Sequence, residues 1–153
     1  MAAAEHPLIL ADDTAIAGLL AGVRRVAVLG IKTPAQADQP AWYVPEYLHR
    51  AGLDVVPVPV YYPELTELFG RPVHRRLADI DGPVDLVDVF RRARDLPGHL
   101  DDLLAARPRA VWLQSGIRDD AFALALAQAG IAVVQDRCLM VDWQRLGPRQ
   151  PTG

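Results

Sequence analysis

The chain has one cysteine, one lysine and one serine, and each scarcity narrows what it can be. A single cysteine cannot build an internal disulfide framework, and it fits a reducing compartment. The start, Met1-Ala-Ala-Ala-Glu-His6, has neither the basic residues nor the apolar core of a signal peptide, so a cytoplasmic location is expected. No apolar run approaches the ~18 residues of a membrane span. The net charge of −3 and pI near 5.7 leave no basic footprint for nucleic acid. Four histidines, His6, His49, His74 and His99, show no paired metal-ligand spacing. Gly30 stands alone where a dinucleotide fingerprint needs three glycines, and Val58-Pro-Val-Tyr61 lacks the carboxylate that holds an NAD ribose, which argues against hydride transfer. No Gly-Lys-Ser/Thr phosphate loop occurs, and Ser115 lies in no Gly-x-Ser-x-Gly elbow.

What is present is centred on Val23 to Thr33. Val26 to Leu29 is uninterrupted apolar sequence closed by Gly30, which reads as a strand covered on both faces in a parallel sheet. Gly30 suits a sharp turn or a close backbone approach. Around it, 153 residues with 51% apolar and 23% charged composition predict one globular domain. Asp12 or Asp13 caps a first helix using Ile16, Leu19 and Leu20. Val44, Tyr47, Leu48 and Ala51 form a helical stripe, and Pro45 places the start of that helix near Trp42. Further strands are expected at Val55 to Val60, Val84 to Phe90, Ala110 to Leu113 and Ile131 to Val134, with a brief edge strand at Pro72 to Arg75. Helices are expected around Leu96 to Leu104, Asp119 to Ala129 and Cys138 to Leu146. The alternation predicts an α/β fold, a Rossmann-like doubly wound parallel sheet of about five strands. Residues 1–22 are expected to be a helical segment packed on a domain of residues 23–146, with 147–153 a disordered tail.

In this architecture the rare residues gather at strand ends. Lys32 follows the first strand, Arg91 and Arg92 follow Phe90, Ser115 follows Leu113, and Cys138 follows the last strand. Each alone reads as readily as a solvated residue, a turn or a core filler; together they read as a site.

Three segments, Val84-Asp-Leu-Val-Asp-Val-Phe-Arg-Arg92, Val111-Trp-Leu-Gln-Ser-Gly-Ile117 and Asp136-Arg-Cys-Leu-Met-Val141, resemble the signature segments of the small bacterial CoA-binding proteins. That family is a stand-alone version of the nucleotide-binding domain of succinyl-CoA synthetase. The resemblance runs from about Arg25 to Leu146 and implies CoA lying across the strand ends. Gly30 and Pro40 match the family's first loop, whereas Lys32 and Ala41 stand where small hydroxyl residues are usual.

With CoA as ligand, backbone N–H groups of Gly30, Ile31, Lys32 and Thr33 and the following helix start would hold phosphate. Lys32 would add a point charge, and Arg91 or Arg92 a bidentate contact. Val58, Pro59, Val89 and Phe90 would form an apolar slot around adenine. Gln114, Ser115 and Gly116 would lie along the pantetheine arm. With Asp136 as N-cap, Cys138 would be the second residue of the last helix, placed for a mixed disulfide with CoA or, more simply, a structural thiol. The expected function is non-catalytic CoA or acyl-CoA binding. A CoA-dependent subunit needing a partner chain, or binding of NAD or another nucleotide, are the other readings, and a protein partner or homo-oligomer stays open.

Overall fold

The structure, a computed structural model, describes residues 5–148. Strand β1 (Ile9–Leu10) leads into helix α1 (Asp13–Leu20), whose N-cap Asp12 accepts the Ala15 N–H through Oδ1 at 2.8 Å. Strand β2 (Arg25–Leu29) is followed by a 3-10 turn at Pro34–Gln36 and helix α2 (Pro40–Arg50). Strand β3 (Asp54–Val58) leads into an antiparallel ribbon of β4 (Glu67–Leu68) and β5 (Arg71–Pro72). Then come β6 (Leu86–Val89), a 3-10 stretch at Ala93–His99 that runs into α3 (Leu100–Ala106), β7 (Ala110–Leu113), α4 (Asp120–Gln128), β8 (Ala132–Val134) and α5 (Leu139–Leu146).

Six strands form one parallel sheet in the order β1-β8-β7-β6-β2-β3. The chain leaves β2 for β3 on one side and later returns to β6 on the other. The strand order therefore reverses between β2 and β6, where this architecture opens a crevice at the carboxyl ends.

Strand alternation sends side chains to two apolar layers. Val26, Val28, Leu86, Trp112 and Val134 pack with Ile16 and Leu20 of α1, Val44 and Leu48 of α2, and Leu139 and Trp143 of α5. Ala27, Leu29, Val56, Val58, Val87, Val89, Val111 and Leu113 pack on the opposite face with Leu96, Leu103, Phe122 and Leu126. Because both faces are covered, the strands read as unbroken apolar runs. Asp88 breaks the pattern. It is fully buried between the register positions of Val28 and Trp112, and neither carboxylate oxygen has a hydrogen-bond partner.

Several elements differ from expectation. The sixth strand, β1, comes from the segment expected to be wholly helical; two residues are too short to show alternation. The edge strand expected at Pro72 to Arg75 is instead the β4–β5 ribbon, with Pro72 opposite Glu67 outside the main sheet. Helix α2 starts at Pro40 rather than near Trp42, because Pro40 itself takes the first helical position. Pro45 thus lies inside the helix, beyond the first turn where a proline loses no bond. The carbonyl of Ala41, which Pro45 cannot reach with an N–H, accepts the N–H of Lys32 at 3.0 Å. The helix defect becomes a tie to the loop after β2. The stripe from Leu96 to Leu104 is divided between the 3-10 stretch and α3, since Pro97 disfavours α conformation at Leu96. Of the expected tail, residues 149–153 lie outside the described residues, as do residues 1–4 of the N-terminal segment.

Candidate functional site

A cleft of about 610 Å³ opens at the carboxyl ends of the central strands. Four strand ends contribute to it: Lys32 beyond β2, Phe90 to Ala93 beyond β6, Gln114 to Ile117 beyond β7, and Cys138 beyond β8. Gln39, Pro40, Ala41 and Tyr43, at and just before the first turns of α2, complete one wall. This volume lies within the range of small-molecule sites.

The structure brings together Lys32, Pro40, Phe90, Arg91, Arg92, Gln114, Ser115, Gly116 and Cys138 as lining residues. The other residues expected at the site do not line it. Val58 and Val89 are fully buried, because alternation points them into the α3–α4 layer with Leu29 and Leu113. Pro59 is buried as well. These three side chains lie in the core and not on the cleft surface. Ile31 is buried in the opposite core layer. Gly30 has φ +84°, and a Cβ there would fall inside contact distance of the Phe90 carbonyl oxygen. Its close approach is to the end of β6, made between two strand ends rather than to a ligand.

The first loop spends most of its backbone donors internally. Gly30 N–H goes to the Val58 carbonyl at 2.9 Å, Lys32 N–H to Ala41, and Thr33 N–H to Gln36 Oε1 at 3.1 Å. The Thr33 hydroxyl also donates to Gln36 Oε1, at 2.8 Å. Of the expected backbone cradle from Gly30 to Thr33, three N–H groups are thus used within the protein; the Lys32 side chain reaches the cleft wall, where its Nζ donates to Gln39 Oε1.

Across the cleft, Arg91 is held from three sides. Its Nε donates to His99 Nε2 at 3.2 Å, its Nη1 lies 3.5 Å from the Tyr61 hydroxyl, and its Nη2 lies 3.7 Å from Asp95 Oδ2. Its guanidinium carbon also sits 5.7 Å from the Tyr61 ring centroid. Burial, and then the Arg91 charge, hold His99 below the usual imidazole range, which keeps Nε2 available as an acceptor. Hydrogen bonding to Arg91, and then its charge, hold the Tyr61 phenol below its usual range. Arg92 is exposed and donates from Nε to Asp95 Oδ2 at 2.9 Å.

The far wall is a double loop tied by side-chain hydrogen bonds. Asp136, at φ +57°, accepts the Gly116 N–H through Oδ1 at 2.6 Å, and Trp112 Nε1 donates to the Arg137 carbonyl at 2.7 Å. Asp136 is therefore not the cap of α5. Cys138 itself occupies the N-cap position without a side-chain cap bond, and the buried Gln114 accepts the Leu139 N–H through Oε1 at 3.0 Å instead. Cys138 is half-buried and lines the cleft one position before the helix, not at its second residue.

Sequence reasoning missed Gln39, Tyr43, Ala93 and Ile117 as lining residues, and His99 behind Arg91. A helix placed from Pro40 would have shown Gln39 and Tyr43 at its mouth; nothing in the sequence pairs His99 with Arg91. Chemically the cleft is one-signed. Lys32, Arg91 and Arg92 line it and, among its described lining residues, there is no Asp or Glu, although the chain carries a net charge of −3. Such a site takes an anion together with a neutral, partly apolar body.

Comparison with known proteins agrees with this geometry. The family model described as CoA binding domain matches residues 24–144. The Bacillus subtilis (strain 168) protein YneT is 31% identical over 118 residues, covering 77% of this chain and 84% of that protein. A solved Thermus thermophilus protein, cell-free ID.343, is 45% identical with a TM-score of 0.80, over 89% of this chain and 99% of its own. A dinucleotide-forming acetyl-coenzyme A synthetase from Ca. Korarchaeum cryptofilum shares the fold alone, at 16% identity and a TM-score of 0.64, over 75% of this chain and 26% of its own. The four strand-end segments that line the cleft all fall within the matched residues, and the chain belongs to the CoA binding domain family.

Proposed function

We propose that this chain binds CoA or an acyl-CoA across the carboxyl ends of its central strands, without carrying out chemistry on it. The observation that carries the reading is the one-signed cleft: three cations and no carboxylate among its described lining residues, in a member of the CoA binding domain family. The residues fit the group. CoA presents a pyrophosphate and a 3′-phosphate, for which Lys32 supplies a point charge and the guanidinium of Arg91 or Arg92 a fork of donors. The absence of a ribose-binding carboxylate among the described lining residues suits a nucleotide bound through its phosphates rather than NAD. Gln114 to Ile117 provide a mostly neutral wall along which a pantetheine arm can run, ending near Cys138.

The non-catalytic part of the reading rests on the same wall. Among its described lining residues it offers the Ser115 and Tyr43 hydroxyls and the Cys138 thiol, but no carboxylate or histidine to serve them as a base. The acetyl-coenzyme A synthetase that shares the fold is matched over 26% of its own chain. The test is thermal unfolding with added ligand. CoA should raise the melting temperature by mass-action linkage, while NAD at equal concentration should leave it within error. An equal or larger shift with NAD would overturn the CoA reading.

A further inference from the structure

With Val58, Pro59 and Val89 buried, the ligand's base needs another surface. Phe90 and Tyr43 line the cleft itself; the most exposed ring at the neighbouring strand ends is Tyr61, beyond β3, at 58%. An exposed ring on an ordinary loop would need no explanation; this one is built into position. Arg75 donates to the carbonyls of Tyr61, Tyr62 and Leu65 at 2.9, 2.8 and 3.0 Å, and Tyr62 is fixed at φ +63°. His74 N–H then ties the returning chain to the Pro57 carbonyl of β3 at 3.0 Å. The segment from Tyr61 to Leu65 is therefore braced from within and anchored to the sheet.

The ring meets the cleft through Arg91. The guanidinium that lines the cleft lies over the Tyr61 ring, 5.7 Å from its centroid, and its Nη1 faces the Tyr61 hydroxyl at 3.5 Å. A guanidinium over an aromatic ring holds that ring in place, and a ring so held can offer a π-face to a flat base. Building on the CoA function proposed above, we propose that Tyr61 is the stacking platform for the ligand's adenine, with Arg91 bracing the ring and turning its remaining donors to phosphate. This makes Tyr61 a specificity-determining residue: it selects ligands that carry a base, whereas Lys32 and Arg92 select only for negative charge.

The experiment uses the full chain and titration calorimetry with three probes: CoA, adenosine 3′,5′-bisphosphate, and 4′-phosphopantetheine, which lacks the base. Tyr61→Ala should weaken CoA and adenosine 3′,5′-bisphosphate roughly tenfold, as loss of an aromatic stack does, and leave 4′-phosphopantetheine unchanged. Tyr61→Phe keeps the ring and should stay within about twofold of wild type for all three. Wild-type CoA binding that Tyr61→Ala does not alter would overturn this inference and leave the proposed function standing. Equal weakening of all three probes by Tyr61→Ala would also overturn it, by showing a loop that supports the whole cleft. A Phe variant as weak as the Ala variant would assign the effect to the hydroxyl and overturn the stacking role. A wild-type chain that binds no CoA would remove the proposed function, and the inference with it.

Discussion

Asp88 is the residue whose chemistry is least like its surroundings. It sits in β6, fully buried, with both carboxylate oxygens unpartnered, and burial pushes its carboxyl well above the usual carboxylate range. The folded chain keeps a proton there that the unfolded chain releases near pH ~4. Above that pH, and up to the raised folded value, the native state binds more protons than the unfolded state, so stability falls as pH rises. The contribution is complete below the unfolded value and gone above the folded one, with a slope of at most ~1.4 kcal/mol per pH unit. Asp88→Asn should remove this slope, and urea unfolding at several pH values from mildly acidic to mildly basic would show it. Parallel pH profiles for wild type and variant would refute the assignment. The sequence showed Asp88 as a polar residue inside an apolar strand, but not that it lacks a partner. That depends on which side chains cross the sheet from β2 and β7. The same blindness applies to Val58 and Val89, which sit next to the cleft along the chain while alternation turns their side chains into the core.

At the level of elements, the join between β2 and β6 sets the geometry of the cleft. Gly30 ends β2 at φ +84°, and a Cβ there would press on the backbone carbonyl of Phe90, which cannot move without disturbing β6. Gly130, after α4, has a similar φ of +86°, but a Cβ added there would meet nothing within 4 Å. The pair separates two costs that usually travel together. Gly130→Ala should cost only the conformational strain, roughly 1–2 kcal/mol. Gly30→Ala should add the steric term and reach ~3 kcal/mol or more. Urea unfolding of both variants would measure the difference, and equal losses would show that the strand ends can part without cost. The strand run and its closing glycine were legible because covered strands leave a plain apolar signature. The start of α2 was not, because the sequence presents two prolines, and only the packing of the loop after β2 decides which one begins the helix. The Lys32 N–H bond to the Ala41 carbonyl, made possible by Pro45, is part of that packing.

On the scale of the whole molecule, the sheet extends beyond the part that carries the family match. The match begins at residue 24, yet β1 pairs with β8 through Ile9↔Val133 and Leu10↔Val134. Helix α1 adds Ile16, Leu19 and Leu20 to the same core layer as Trp112 and Trp143. Arg137 joins the two ends of the chain by donating to Asp13 at 3.0 Å and to the buried Asp142 at 2.6 Å, while Arg145 donates to the same two carboxylates at 2.9 and 2.8 Å. Hydrogen bonding to Asp142 raises Arg137 above its usual range, the direction expected of a cation held by its partners. The pairs to the exposed Asp13 are each worth ~1 kcal/mol or less, and those to the buried Asp142 set Coulomb gain against desolvation, so the apolar term decides. Burying three aliphatic side chains at roughly 1.5–3 kcal/mol each contributes about 5–9 kcal/mol. That is as large as the whole net stability of an ordinary domain, about 5–15 kcal/mol. A chain starting at Val23 should therefore lose cooperative unfolding or melt far below the full chain, even though it retains every cleft residue. Circular dichroism during heating, with and without CoA, would check this. A truncated chain that melts cooperatively near the full-length temperature would show that the matched segment folds alone, and that β1 and α1 only decorate it.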